Sequence, residues 1–140
     1  MRHETSVVIS APPDEVWAVL ADVPGWPGWT PTVNSVVALD DGLQVGHRFR
    51  VEQPGVPAAV WHVVEVEPGS SFSWATRFAG GRMVASHWIR PTGDGSEVRL
   101  RITYSGGLAP LLTPLVSRRI RRFVEAEAAA LQRTCGTSST

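Results

Sequence analysis

The chain has 140 residues, 43% of them apolar, which suits one globular domain with its own core and excludes a disordered or fibrous chain. Thirteen basic residues balance 13 acidic ones, so no overall field draws the chain to nucleic acid or to an anionic membrane. All 13 basic residues are arginine, which rules out a lysine Schiff base, a catalytic lysine amine and a P-loop, and the single cysteine, Cys135, rules out an internal disulfide and a CxxC-type zinc site.

The start, Met1-Arg2-His3-Glu4, carries no apolar leader, and no apolar run reaches membrane-spanning length. A cytoplasmic location without stable membrane insertion is the expectation. Thr5 to Ser10 reads as a first strand with Val7 and Ile9 on one face. Ala11-Pro12-Pro13-Asp14-Glu15 reads as a helix start, with proline in the first turn and acids at the positive end of the dipole. Val16, Trp17, Val19 and Leu20 supply its apolar stripe. Pro24 to Pro31 is too interrupted for a long helix and predicts a short second helix or turn carrying Trp26 and Trp29.

From Val33 to Ser105 turn signals recur at Asp41-Gly42, Pro54-Gly55, Pro68-Gly69, Gly80-Gly81 and Asp94-Gly95, the punctuation of a six-stranded antiparallel meander. After Gly106-Gly107 apolar residues recur at helical spacing from Leu112 to Leu131, predicting one long helix that ends near Arg133. Its start falls near Ala109 or at Thr113-Pro114. The expected layout is a single domain over 1–134, with a flexible tail over 135–140. A lone sheet with one long helix buries its apolar face by curling around that helix.

Several segments carry a family resemblance: Ile9-x-Ala11-Pro12-Pro13-x-Glu15-Val16-Trp17, Trp26-Pro27-x-Trp29, Val45-Gly46-x-x-Phe49, Val63-x-Glu65-Val66-x-Pro68-Gly69 and Gly107-Leu108. Together, in order and over nearly the whole chain, they resemble the START-like (SRPBCC) superfamily, in its polyketide cyclase/dehydrase and lipid-transport branch. The resemblance implies an α+β helix-grip fold. A curved seven-stranded antiparallel sheet would wrap a long C-terminal helix, with two short helices between strands 1 and 2. It also implies a hydrophobic ligand and no cofactor.

Hairpin loops fix which residues oppose each other. A two-residue loop at Pro54-Gly55 pairs Phe49 with Val60 and His47 with His62. A three-residue loop at Pro68-Gly69-Ser70 pairs Val66 with Phe72 and His62 with Thr76. Two-residue loops at Gly80-Gly81 and Asp94-Gly95 pair Trp74 with His87 and Ala85 with Tyr104. These registers give one apolar face of Phe49, Val51, Val60, Val64, Val66, Phe72, Trp74, Phe78, Met83, Ile89, Leu100 and Ile102. The opposite, arginine-rich face would hold Trp61 and Trp88 beneath arginines. His47, His62, Thr76 and Tyr104 fall in one inward row, with His87 in the next; the facing of strand 2 stays open.

The reading that follows is a binding domain for a lipid-like or polyketide-like molecule. Its expected ligand contacts are Trp26, Trp29, Phe49, Val60, Val64, Phe72, Trp74, Thr76, Met83, His87, Ile102, Leu108, Leu111, Leu112 and Leu115. The alternative is a cofactor-independent cyclase, aromatase or dehydratase using His47, His62 and Tyr104 as acid/base groups. A further alternative is a protein-interaction domain anchored through outward Trp61 and Trp88. No metal is expected, because the registers hold His87 over ~10 Å from His62 at ~4.8 Å between strands and ~3.4 Å per residue.

Overall fold

The computed structural model describes residues 2–78, 80–107 and 114–136, the side chains of residues 115 and 116 aside. In chain order the elements are β1 (Arg2–Ile9), α1 (Pro13–Ala21), a 3-10 helix (Val23–Gly28), β2 (Ser35–Ala38), β3 (Arg48–Glu52), β4 (Ala59–Glu67), β5 (Ser71–Phe78), β6 (Gly81–Pro91), β7 (Ser96–Gly106) and α2 (Pro114–Gly136). The strands form one antiparallel sheet in the order β1-β7-β6-β5-β4-β3-β2. This is the helix-grip architecture.

α1 forms where expected. Proline opens it, Asp14 and Glu15 occupy its first turn, and Val16 and Leu20 bury its inner face. The 3-10 helix delivers Trp26 into the core, where its Nε1–H donates to the Leu20 carbonyl at 3.0 Å. A buried indole is thereby satisfied without a ligand.

α2 meets the sheet in two ways. Ala128, Ala130, Leu131 and Cys135 are buried, so the small residues of its C-terminal half let the helix lie close to the rest of the fold. Gln132 secures that half by donating to the Val8 carbonyl of edge strand β1 at 2.7 Å. Further toward the N-terminus, Ile120, Phe123, Val124 and Glu127 instead face a cavity. His3 Nε2 lies 2.9 Å from Ser117 Oγ and ties β1 to this half as well.

The helix runs through Gly136 with Cys135 buried, so the tail expected from residue 135 does not begin there. The apolar burial of Cys135 joins the pattern that the Thr, Ser and Gly around it concealed. Burial first, and the nearby Glu15 charge second, push its thiol above the ordinary range. The choice between Ala109 and Thr113 as helix start lies outside the described residues.

Two registers differ from the sequence expectation in a way that changes faces. The β3–β4 hairpin pairs Phe49 with Trp61 and Arg48 with His62, one residue away from the expected register. A bulge at Val64 then shifts the β4–β5 ladder, so Val63 opposes Trp74 while Val66 still opposes Phe72. The bulge inserts one residue and re-aims everything before it. Trp61 and Val63 point inward; His62 and Val64 point to solvent.

The other two registers move by two residues, which preserves faces. Phe78 pairs with Gly81, and Ile89 pairs with Val98. The glycine pair divides its labour. Gly80 takes the turn with φ +77°, whereas Gly81 joins the strand because a side chain there would strike the Tyr104 ring and the Ser105 carbonyl.

Candidate functional site

Between the inner sheet face and α2 lies a cavity of about 250 Å³. Trp26, Trp61 and Trp74 form much of its wall, with Thr76, Met83, Ile102 and Phe123. Trp74 sits 5.2 Å from Trp26 and 5.3 Å from Trp61 between ring centroids. Such tilted aromatic contacts each add ~0.5–1.5 kcal/mol beyond simple burial, so the rings of the wall brace one another. The cavity reaches the surface where exposed Pro57, Ala58 and Arg119 line it. Its other end is fully buried, at Trp26 and His87.

His87 is the polar centre of that buried end. Its ring stacks on Phe72 at 4.2 Å and 10°. Nδ1 lies 3.3 Å from the Phe72 carbonyl, and Nε2 lies 3.3 Å from Glu127 Oε2 on α2. A carbonyl only accepts hydrogen bonds, so the tautomer that satisfies Phe72 carries its proton on Nδ1. Nε2 then faces the Glu127 carboxyl. They form a hydrogen bond only if one more proton is shared between them, as neutral imidazole with carboxylic acid or as imidazolium with carboxylate. The side chains are 4% and 16% exposed, so the contact is shielded from solvent.

The remaining expected residues divide sharply. Trp26, Trp74, Thr76, Met83, His87 and Ile102 line the cavity. Thr76 donates its hydroxyl to the Val60 carbonyl at 2.8 Å, which satisfies it against the bulged strand. Phe49 and Phe72 are buried behind the wall rather than in it, and Trp29 packs 5.7 Å from Trp26 outside the cavity. Val60 and Val64 belong to the outer face. Leu108, Leu111 and Leu112 lie outside the described residues, as does the side chain of Leu115.

The expected row of His47, His62, Thr76 and Tyr104 does not form. His62 is exposed on the outer face. His47 precedes β3, with Nδ1 3.1 Å from the Gly42 carbonyl. Tyr104 is buried edge-on against Phe78, away from the cavity lining. The acid/base candidates therefore change from His47, His62 and Tyr104 to His87 and Glu127. Glu127 carried a sequence signal that passed unread: an acid on the inward side of the last helix, a turn away from Phe123 and Leu131 on the same stripe.

Trp61, expected on the outer face, is 6% exposed and lines the cavity. Trp88 does lie outside, with the Arg101 guanidinium 4.7 Å from its ring centroid. The two anchors needed for docking through the outer face are thus one buried and one covered by a cation.

A model of the family described as polyketide cyclase/dehydrase and lipid transport matches residues 1–136. The chain belongs to that family. Among curated proteins none matches at a significant level. Solved structures with the same fold include the Zhui aromatase/cyclase from Streptomyces sp. R1128, at 20% identity and TM-score 0.78, covering 100% of this chain and 96% of that one. The di-domain aromatase/cyclase BexL from the BE-7585A biosynthetic pathway matches at 22% identity and TM-score 0.76, over 95% of this chain and 45% of its own. Ara h 8.0201 matches at 12% identity and TM-score 0.76, over 96% and 97%. At these identities the likeness is one of fold. It supports the helix-grip architecture over nearly the whole chain. No described helix is long and apolar enough to cross a membrane.

Proposed function

We propose that this protein binds a hydrophobic or aromatic small molecule in the cavity between sheet and α2. The observation that carries the reading is a preformed cavity of about 250 Å³ walled by Trp26, Trp61 and Trp74, with the His87–Glu127 pair placed at its buried end. Ligand sites are mostly apolar with a few placed polar groups. N-phenyl-1-naphthylamine, a neutral dye that brightens in apolar surroundings, tests it. The protein should bind the dye, and Ala85→Phe, which fills the cavity from its wall, should abolish binding while the unfolding midpoint holds. No binding by the native protein, or equal binding by the filled variant, would refute the reading.

The His87–Glu127 pair favours a second reading, in which the bound molecule is also a substrate. An acid/base pair in an apolar site that excludes water suits enolisation of a ketone. One partner removes a proton from the carbon next to the carbonyl, and the carbonyl oxygen receives a proton as the enol forms. Proton–deuterium exchange at that carbon in 2-acetonaphthone is the measurement. Catalysed exchange that His87→Gln abolishes supports an enzyme; exchange at the buffer rate leaves a carrier.

A further inference from the structure

We infer that the ligand is an anionic amphiphile, whose apolar body fills the cavity and whose acidic group rests outside the mouth on Arg118 and Arg122. This rests on the cavity being the ligand site. Arg118, Arg119, Arg122, Phe123 and Pro54 line a surface depression, and two of these residues, Arg119 and Phe123, also line the cavity. The depression therefore adjoins the cavity mouth: three guanidinium groups stand around it, and the cavity behind it is walled mainly by apolar side chains.

The arginines are not spent on carboxylates among the described residues. Arg118 and Arg122 stand one turn apart on α2, a like-charged spacing that destabilises a helix by ~0.2–0.5 kcal/mol. No carboxylate among the described residues pairs with Arg118, Arg119 or Arg122, whereas Arg48, Arg50, Arg90, Arg99 and Arg101 on the sheet are all ion-paired. Arg121 and Glu125 lie on the opposite flank, where both border a depression with His3. Arg119 donates to the Pro54 carbonyl at 3.1 Å and fixes the arginine-bearing turn beside the β3–β4 loop. The cavity volume is below the ~300–1,000 Å³ of sites that enclose a drug-sized ligand. A molecule longer than the cavity projects through the mouth and meets these guanidinium groups first. Guanidinium forks bind carboxylate and phosphate, often in bidentate fashion.

The test is displacement of N-phenyl-1-naphthylamine by dodecanoate, dodecyl phosphate and dodecanol at low ionic strength. The expected result is that at least one anion competes about tenfold better than dodecanol. The stronger of the two identifies the head group as carboxylate or phosphate. Arg118→Gln/Arg122→Gln should erase that preference without altering dodecanol competition, and Arg118→Lys/Arg122→Lys should keep most of it. Added salt should weaken the anions alone. Equal competition by dodecanol, or an anion preference that survives the glutamine variant, would overturn the inference and leave the binding reading intact. Failure of the dye itself to bind would overturn both.

Discussion

At His87 one ring nitrogen meets the Phe72 carbonyl and the other the Glu127 carboxyl, so the ring loses a partner whenever Glu127 is shortened. Glu127→Ala should destabilise the protein by ~1–3 kcal/mol, the cost of a buried polar atom left unmade. Glu127→Gln should cost less, because its amide can donate to a neutral Nε2. Urea unfolding of the two variants checks the order, and equal losses would mean that the contact is incidental. Asp40 offers a residue-scale test with pH. Its carboxylate accepts from the Arg48 side chain at 3.1 Å and from the Arg48 backbone at 2.9 Å, and these bonds hold it below the ordinary carboxylate range. A depressed carboxyl stabilises the fold above its unfolded pKa and loses that contribution as pH falls through the folded one. Asp40→Asn should therefore be less stable than the native protein near neutrality, with the gap closing on acidification below the ordinary carboxylate range. Thermal unfolding across pH reads this, and a gap that widens toward acid would contradict the assignment.

Between the elements, the β3–β4 hairpin and the bulge after it decide what the cavity is made of. The strands, their order and their turns follow from alternation and glycine spacing, and these were legible in the sequence. The facing of β4 was not. Val60, Trp61, His62, Val63 and Val64 alternate plausibly on either register, since aliphatic, aromatic and histidine side chains all tolerate burial. What chooses is nonlocal. Trp61 has Trp74 to pack on at 5.3 Å, and the Val64 bulge lets Val66 return to the inner face opposite Phe72. That one slip removed His62 from the site and hid Trp61 from view. Trp61→Ala should accordingly cost about 3 kcal/mol or more in chemical denaturation, as for a large core truncation. Trp88→Ala, which loses a partly exposed ring and its arginine cover, should cost about 1 kcal/mol. The reverse order would restore the sequence-based facing. In the same hairpin Gly55 holds φ +74°, and any side chain there would collide with the Arg119 guanidinium. Gly55→Ala should destabilise by ~1–2 kcal/mol from backbone strain. It should also displace Arg119 from Pro54, visible as a changed Arg119 Nε–H resonance.

For the whole molecule, the placement of Cys135 gives a reporter of collective opening. The thiol is 3% exposed in the packed half of α2 and its ionisation is disfavoured by burial. Its reaction with a thiol reagent should be slow and should accelerate in urea together with global unfolding. Dye at ten times its dissociation constant should slow it about tenfold, because a ligand held only by the native state lowers the open fraction by that factor. Dye-independent labelling would mean that the helix end opens alone. The attachments of α2 carry a wider consequence. The sheet is open, with β1 and β2 as its margins, and α2 spans the interior like a strap. Beyond the packed half it is fastened by His3–Ser117 on the β1 side and by Arg119–Pro54 on the β3–β4 side. Hydrogen bonds of this sort each contribute only ~1 kcal/mol, less than the ~3 kcal/mol or more that holds a buried tryptophan of the wall in place. The container is therefore stiff along its lining and elastic along its strap. A guest slightly too large stretches the strap at modest cost instead of meeting a fixed limit, so selection by size is graded, and discrimination between similar guests falls to shape against the tryptophans.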